Sequence, residues 1–305
     1  MTKSYRANGK LLLTAEYTIL DGAIGLGLPT QKGQILEITP CDDKKLHWKS
    51  FDHRMNLWYE NSFEITPTKI IPSKLEEDPI SQRLVQIFNS CIEISPELEK
   101  KLVGKECKTF LEFDKSWGLG SSSTLISLIS QWTNANPYEL LTKSFGGSGY
   151  DIACANNNQP ILFRKNKKTP EVTPTAFKPS FSSDLYFVYL NQKQDSRIGI
   201  KHYNSIKKDK KEFIQKINNI TEAILSCNDL NLFKNLVNEH EAIIAKCTNQ
   251  KTVKELFFKD FNGTLKSLGA WGGDFILAAS ETDPTPYFKS KGFDTVIPYD
   301  DMILS

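Results

Sequence analysis

Apolar positions along this chain follow two rhythms, a period of two and a helical period, and the rhythm changes several times. In the first forty residues short apolar runs alternate with turn signals. Lys10-Leu11-Leu12-Leu13 leads into Ala15–Leu20 and an Asp21-Gly22 turn, and Ile35–Ile38 reads as a strand. Residues 45–70 read as strands joined by polar turns, with Trp48, Phe51, Trp58 and Tyr59 spread through them. Leu84, Val85, Ile87, Phe88, Cys91 and Ile92 form one stripe at helical spacing and predict a helix over 80–92. Alternation returns at Thr109–Phe113, directly before GLGSSSTLISLI at 118–129, where glycines and serines open a helix reaching about Trp132. Asn136-Pro137 starts another helix, with proline in its first turn. Residues 165–182, rich in Lys, Pro, Thr and Ser, read as a connection, which predicts two domains, 1–180 and 181–305. Beyond it come a strand at Leu185–Leu190, amphipathic helices over 205–226 and 229–247, and an apolar run at Leu268–Ala279 that contains a third glycine cluster.

Composition narrows the class without choosing a function. A chain of 305 residues exceeds what one core usually serves, which agrees with two domains. With 39% hydrophobic and 24% charged residues it reads as an ordinary soluble globular protein, and a net charge of +2 points to no charged partner. The one basic run, Lys207-Lys208-Asp209-Lys210-Lys211, is broken by an aspartate and continues into Glu212-Phe213-Ile214. A solvated helix start is expected there, and no nucleic-acid partner. Six cysteines without CxxC pairing, no apolar run of membrane length and no secretory leader predict free thiols, a cytoplasmic location and no membrane partner.

Candidate chemistry sits in the glycine clusters. At 118–123 a glycine-rich turn opens a helix, so backbone N–H groups and the positive end of the helix dipole face one point. That is a phosphate cradle, with serine hydroxyls as short ligands for Mg²⁺; the plainer alternative is a turn with one serine as N-cap. Lys10 and Glu16 place a cation and a carboxylate near the end of an apolar strand, or else at a turn and on a solvent face. Asp151 follows the turn Gly146-Gly147-Ser148-Gly149, either as a reactive carboxylate or as a helix N-cap. Gly269-Ala270-Trp271-Gly272-Gly273-Asp274 lies between strand-like pieces, where a hairpin or bulge is the simple reading. GxxxxGKS/T and HExxH are absent, Gly25-Leu26-Gly27 lacks a third glycine, and His240 between two glutamates reads as a surface or packing histidine.

Three of these segments together resemble a known family. ANGKLLLTAEYTILDG at 7–22 is similar to the APGKxxLxGEYxVLxG opening of the mevalonate-pathway members of the GHMP kinase superfamily. GLGSSS at 118–123 matches that family's phosphate loop, and GAWGGDFILA at 269–278 is similar to its C-terminal GxGGG segment. GGSGYDIACA at 146–155 resembles the GSGxDxA segment of phosphomevalonate kinases and a bacterial branch marked by the string GYDIA. The resemblance spans almost the whole chain. It implies an α+β, two-domain fold, with an N-terminal nucleotide-binding domain like ribosomal protein S5 domain 2 and a C-terminal ferredoxin-like α/β domain.

The resemblance also implies an activity and a site. The expected reaction is transfer of the γ-phosphoryl of ATP, with Mg²⁺, to phosphomevalonate or mevalonate in isoprenoid biosynthesis. The alternatives are a diphosphomevalonate decarboxylase-like lyase, a kinase for homoserine or a sugar, and a sensor that binds without turnover. Carried over from the motifs, Lys10 and Asp151 are the catalytic residues and Gly118, Leu119, Gly120, Ser121, Ser122 and Ser123 bind the nucleotide phosphates. Glu16, Lys193, Ser196, Arg197, Gly272 and Gly273 fall on the substrate side, and Ser122 with Glu139 are the metal ligands. A monomer or homodimer is expected. Three departures from the pattern stand out: Asn8 replaces proline, Trp271 replaces glycine, and Glu139 is a poor match to the family's metal-ligating glutamate.

Overall fold

A computed structural model describes residues 1–74, 78–166, 169–194, 196–207, 209–269, 271 and 273–304, with the side chain of Ser196 outside the description. Its strands are β1 (Lys3–Leu12), β2 (Ile24–Pro40), β3 (Leu46–Phe51), β4 (Leu57–Ile65), β5 (Ile70–Pro72) and β6 (Lys105–Leu111). They continue with β7 (Ile161–Arg164), β8 (Glu171–Pro174), β9 (Leu185–Tyr189), β10 (Thr264–Ser267), β11 (Phe275–Ala279) and β12 (Val296–Pro298). With the helices between them the fold is mixed α+β, as the sequence led us to expect. The chain forms two compact units.

The first unit comprises Met1–Gly9, Lys32–Lys115 and Gly120–Asn156. Its sheet runs in the order β5-β4-β3-β6-β2, with β3 and β6 parallel and the other neighbours antiparallel. Leu46, Trp48 and Ser50 alternate inward along β3, as period-two patterning requires of a half-buried strand. Asp78 caps the helix Pro79–Ile94 by accepting from the Ile80 and Ser81 N–H groups, and Pro79 opens its first turn. The stripe foreseen there is buried: Trp48 meets Phe88 edge-on at 5.6 Å, and Phe88 meets Trp132 at 6.2 Å. Burying a side chain the size of Phe88 contributes about 2–3 kcal/mol.

The second unit comprises Lys10–Gln31, Ser116–Leu119 and Asn157–Ser305. Here the start of β2 pairs with β7, and β7 pairs with β8 in register from Ile161↔Pro174 to Arg164↔Glu171. The connection expected at 165–182 therefore contains a strand. Its prolines hid it: Pro174 terminates an exposed edge strand, where no partner is needed on one side. A second sheet, β10-β11-β9-β12, is antiparallel throughout, and all five residues of β11 are buried. Phe258, Phe261 and Phe288 pack with Ile276 and Leu265 as its core. The expected helix over 205–226 begins later, at Lys211, where the Asp209 carboxylate accepts the Lys211 N–H; Ser196–Ser205 is a separate helix. All six cysteines are free. Among the described residues no helix is long and apolar enough to cross a membrane.

Candidate functional site

The glycine-serine segment adopts the cradle geometry at backbone level. Gly118 and Gly120 have φ of 67° and 90°, left-handed values that a side chain makes costly. Gly120 is the N-cap of the helix Ser121–Thr133, and no side chain caps that end. The serine N-cap alternative therefore does not apply. Ser123 donates its hydroxyl back to the Gly120 carbonyl and is buried, whereas Ser122 is exposed in the first turn. The leading N–H groups of an uncapped helix are the usual partners of an anion.

Lys10 lies in β1, and its backbone N–H donates to the Leu119 carbonyl at 3.0 Å, so the lysine's strand is bonded to the loop itself. Asp274, after the third glycine cluster, rests its carboxylate where a Cβ on Gly118 would stand. Burial pushes the Asp274 carboxyl upward, against the opposing pull of Lys10 and Lys193. The cluster is the loop of an antiparallel hairpin, β10 to β11, as the simple reading held. At Gly273 a Cβ would meet the Gln192 carbonyl at 2.8 Å, so only glycine fits. Gly272 lies outside the described residues. Trp271 is buried, and its N–H donates to the Tyr17 hydroxyl at 3.0 Å.

Glu16 faces the interior and not solvent. It is fully buried, and its Oε1 accepts from Lys266 Nζ at 2.5 Å. Lys266 also reaches Glu241 Oε1 at 3.4 Å, and Ser267 Oγ donates to the same carboxylate at 3.1 Å. Burial raises the Glu16 carboxyl to about 7, outweighing Lys266, and raises Glu241 as well. His240 is buried too; burial first and then Lys266 hold its pKa well below the usual value. Its Nε2 accepts the Ala15 N–H at 3.0 Å, which places the remaining ring proton on Nδ1. Ala15 and Tyr17, on either side of Glu16, have φ of 70° and 59°. Two left-handed non-glycine residues in a row of three cost about 1–3 kcal/mol each, so this turn persists because its surroundings fix it.

The other expected residues lie on separate elements. Asp151 sits in the first turn of the short helix Tyr150–Ala155, whose N-cap is Gly149, so it is not the cap. Glu139 is exposed in the first turn of Pro137–Ser144. Among the described residues the one set of three His, Cys, Asp or Glu side chains close enough to share a metal ion is Cys41, Asp43 and His47, and Glu139 is not part of it. Lys193 and Arg197 are exposed, the latter in the helix Ser196–Ser205. That helix is seated on the Glu16 turn, because a Cβ at Gly199 would meet the Tyr17 hydroxyl at 2.6 Å.

No family model matches the sequence, and no curated protein matches it either. Solved structures do match over nearly the full chain. Streptococcus pneumoniae phosphomevalonate kinase, in complex with phosphomevalonate and AMPPNP, is 16% identical, with 95% of each chain covered and a TM-score of 0.67. Lactococcus lactis galactokinase, complexed with galactose, is 15% identical, covers 100% of this chain and 94% of its own, and has a TM-score of 0.68. L. major mevalonate kinase, in complex with R-mevalonate, is 18% identical over 96% and 91%, with a TM-score of 0.62. This chain has the GHMP kinase fold.

In this GHMP kinase fold the residues missed by motif reading are Lys266, Glu241 and the role of Asp274, whereas His240, read as a surface or packing histidine, is a buried one. Lys266 sits inside a strand whose four residues are all buried, a position where a lysine's charge gives no periodicity signal. Asp274 had a visible clue, a carboxylate directly after two glycines in the third motif.

Proposed function

We propose that this chain is an ATP-dependent kinase that transfers a phosphoryl group to a small-molecule alcohol or phosphate, with phosphomevalonate or mevalonate as its acceptor. One observation carries the reading: the Lys10 N–H bonded to Leu119 joins a lysine-bearing strand to a left-handed glycine loop that opens an uncapped helix. Phosphoryl transfer asks a protein mainly to position two groups and to neutralise developing charge. The 118–122 backbone would hold the phosphates, and Lys10 would stabilise charge on the moving phosphoryl. Asp151 would accept the acceptor's hydroxyl proton. Mg²⁺ supplies charge neutralisation on the phosphates when bound, and the Ser122 hydroxyl is the hard oxygen ligand this loop offers it. Glu16, whose Oε1 is held by Lys266, would shape the turn and leave the acceptor to other groups.

The phosphomevalonate preference rests on the GSGYDIA and GGD strings and on Lys193 with Arg197 as exposed cations. Arg197→Ala is expected to raise KM for phosphomevalonate far more than for ATP, by the roughly tenfold or more that a lost charge-assisted contact of about 1.5–3 kcal/mol implies. Equal turnover of mevalonate and phosphomevalonate with no response to Arg197→Ala would point to a different anion site.

A further inference from the structure

The glycine loop carries a carboxylate that phosphate binding by itself does not explain. Asp274 is held at both ends of its backbone: its N–H donates to Gln192 O at 2.7 Å, and its carbonyl accepts the Leu190 N–H at 2.8 Å. Its φ is 56°, left-handed, a conformation an aspartate adopts at some cost. The side chain is fixed as well, because Oδ1 accepts the Gln194 N–H at 3.2 Å. Those contacts press the carboxylate onto the Cα of Gly118, filling the volume a Cβ would need there. The next residue, Leu119, accepts the backbone N–H of Lys10. Lys10 and Asp274 thus flank the same two residues, and Lys193 lies between the two glutamines that bond to Asp274.

An unbalanced carboxylate against a phosphate loop would repel the nucleotide. Among the described residues, Lys10 and then Lys193 are the charged groups that act on Asp274. We infer that Asp274 is a positioning residue of this site, the counter-ion that fixes the Lys10 ammonium at the glycine loop. A lysine ammonium on its flexible four-carbon stem loses rotamer freedom when it is held, and a fixed carboxylate beside the loop restricts it before substrate arrives. The inference rests on the kinase reading for its catalytic meaning, but the pairing itself does not.

Two measurements test it. Carboxyl ¹³C NMR, with Asp274 assigned from Asp274→Asn, follows its titration in the wild type and in Lys10→Met. Removing Lys10 is expected to move that titration up by about one pH unit or more, and Lys193→Met to move it less. An Asp274 titration unmoved by Lys10→Met overturns the inference. In steady-state assays Asp274→Asn is expected to lower kcat about tenfold or more, while ATP binds no more weakly because a negative charge has left the loop. Loss of ATP affinity in step with kcat overturns the positioning role, since that is what a merely disturbed loop would show. If Asp274→Asn does not fold, assignment proceeds from Gly118→Ala perturbation and the Lys10→Met titration decides. A wild type that phosphorylates no acceptor defeats the kinase reading, and the titration still decides the pairing.

Discussion

A single lysine balances a fully buried cluster of ionisable groups. Lys266, with no exposed surface, faces two buried carboxylates and a neutral histidine, and Glu16 Oε2 and His240 Nδ1 have no hydrogen-bond partner among the described residues. Lys266→Met leaves Glu16 and Glu241 without their cation, so a loss of about 3–5 kcal/mol is expected, read as a lower midpoint in thermal or urea unfolding. An unchanged midpoint would show that the two carboxyls are neutral without it. Glu16 gives a second test, of pH dependence. Its folded pKa of about 7 lies above the ordinary 4.5, so the folded state keeps a proton that the unfolded chain has lost. Its contribution is full below about 4.5 and is lost as pH rises through 7, on the order of 3 kcal/mol in all. The stability difference between wild type and Glu16→Gln is therefore expected to fall from pH 5 to pH 8; a flat difference would contradict the shift. On the proposed reading, Asp151→Asn and Lys10→Met are each expected to lower kcat at least about a hundredfold with nucleotide affinity largely kept. Lys10, Asp151 and Glu16 stood out in the sequence because each lies beside a glycine turn or in a recognisable string. Lys266 did not, since a strand buried on both faces shows no alternation in which a charge could look misplaced.

At the level of elements, the glycine loops act through what they exclude. Gly118→Ala would put a Cβ into the Asp274 carboxylate at a left-handed φ, so the loop has to shift. Destabilisation of about 1–2 kcal/mol is expected, together with loss of nucleotide-induced thermal stabilisation. Gly146→Ala, where nothing lies within 4 Å of the added Cβ, meets only the backbone strain of φ 69° and serves as the comparison. Equal effects of the two would mean that the Gly118–Asp274 contact carries no weight. Helices were legible where an apolar stripe keeps helical spacing, as in Leu84, Ile87, Phe88 and Cys91; the Asp78 cap emerged only in the structure. The strand β8 was not, because Thr- and Pro-rich edge strands have the composition of a linker. Ser196–Ser205 was not foreseen as a helix, and the helix expected from 205 starts at Lys211, where the Asp209 carboxylate accepts the Lys211 N–H.

Across the whole molecule the fold was readable because three weak motifs stood in a fixed order over almost the entire chain, and the architecture matches GHMP kinases at 14–18% identity. The acceptor was not readable in the same way. Among the matching structures are kinases named for galactose as well as for mevalonate and phosphomevalonate, so the fold by itself does not select an acceptor. On the proposed reading, the 118–122 loop binds the nucleotide. ATP with Mg²⁺ is expected to raise the melting temperature of the wild type, and Gly120→Val, which places a branched side chain at φ 90°, to abolish that rise. The most direct measurement follows the γ-phosphoryl itself: radiolabelled ATP is incubated with the protein and, in turn, phosphomevalonate, mevalonate, homoserine and galactose, and label is counted in the acceptor. Label on phosphomevalonate or mevalonate, lost in both Asp151→Asn and Gly120→Val, is the predicted result. Label on none of the four, from a wild type that ATP stabilises against heat, would contradict it and leave a nucleotide-binding protein without transfer to these acceptors.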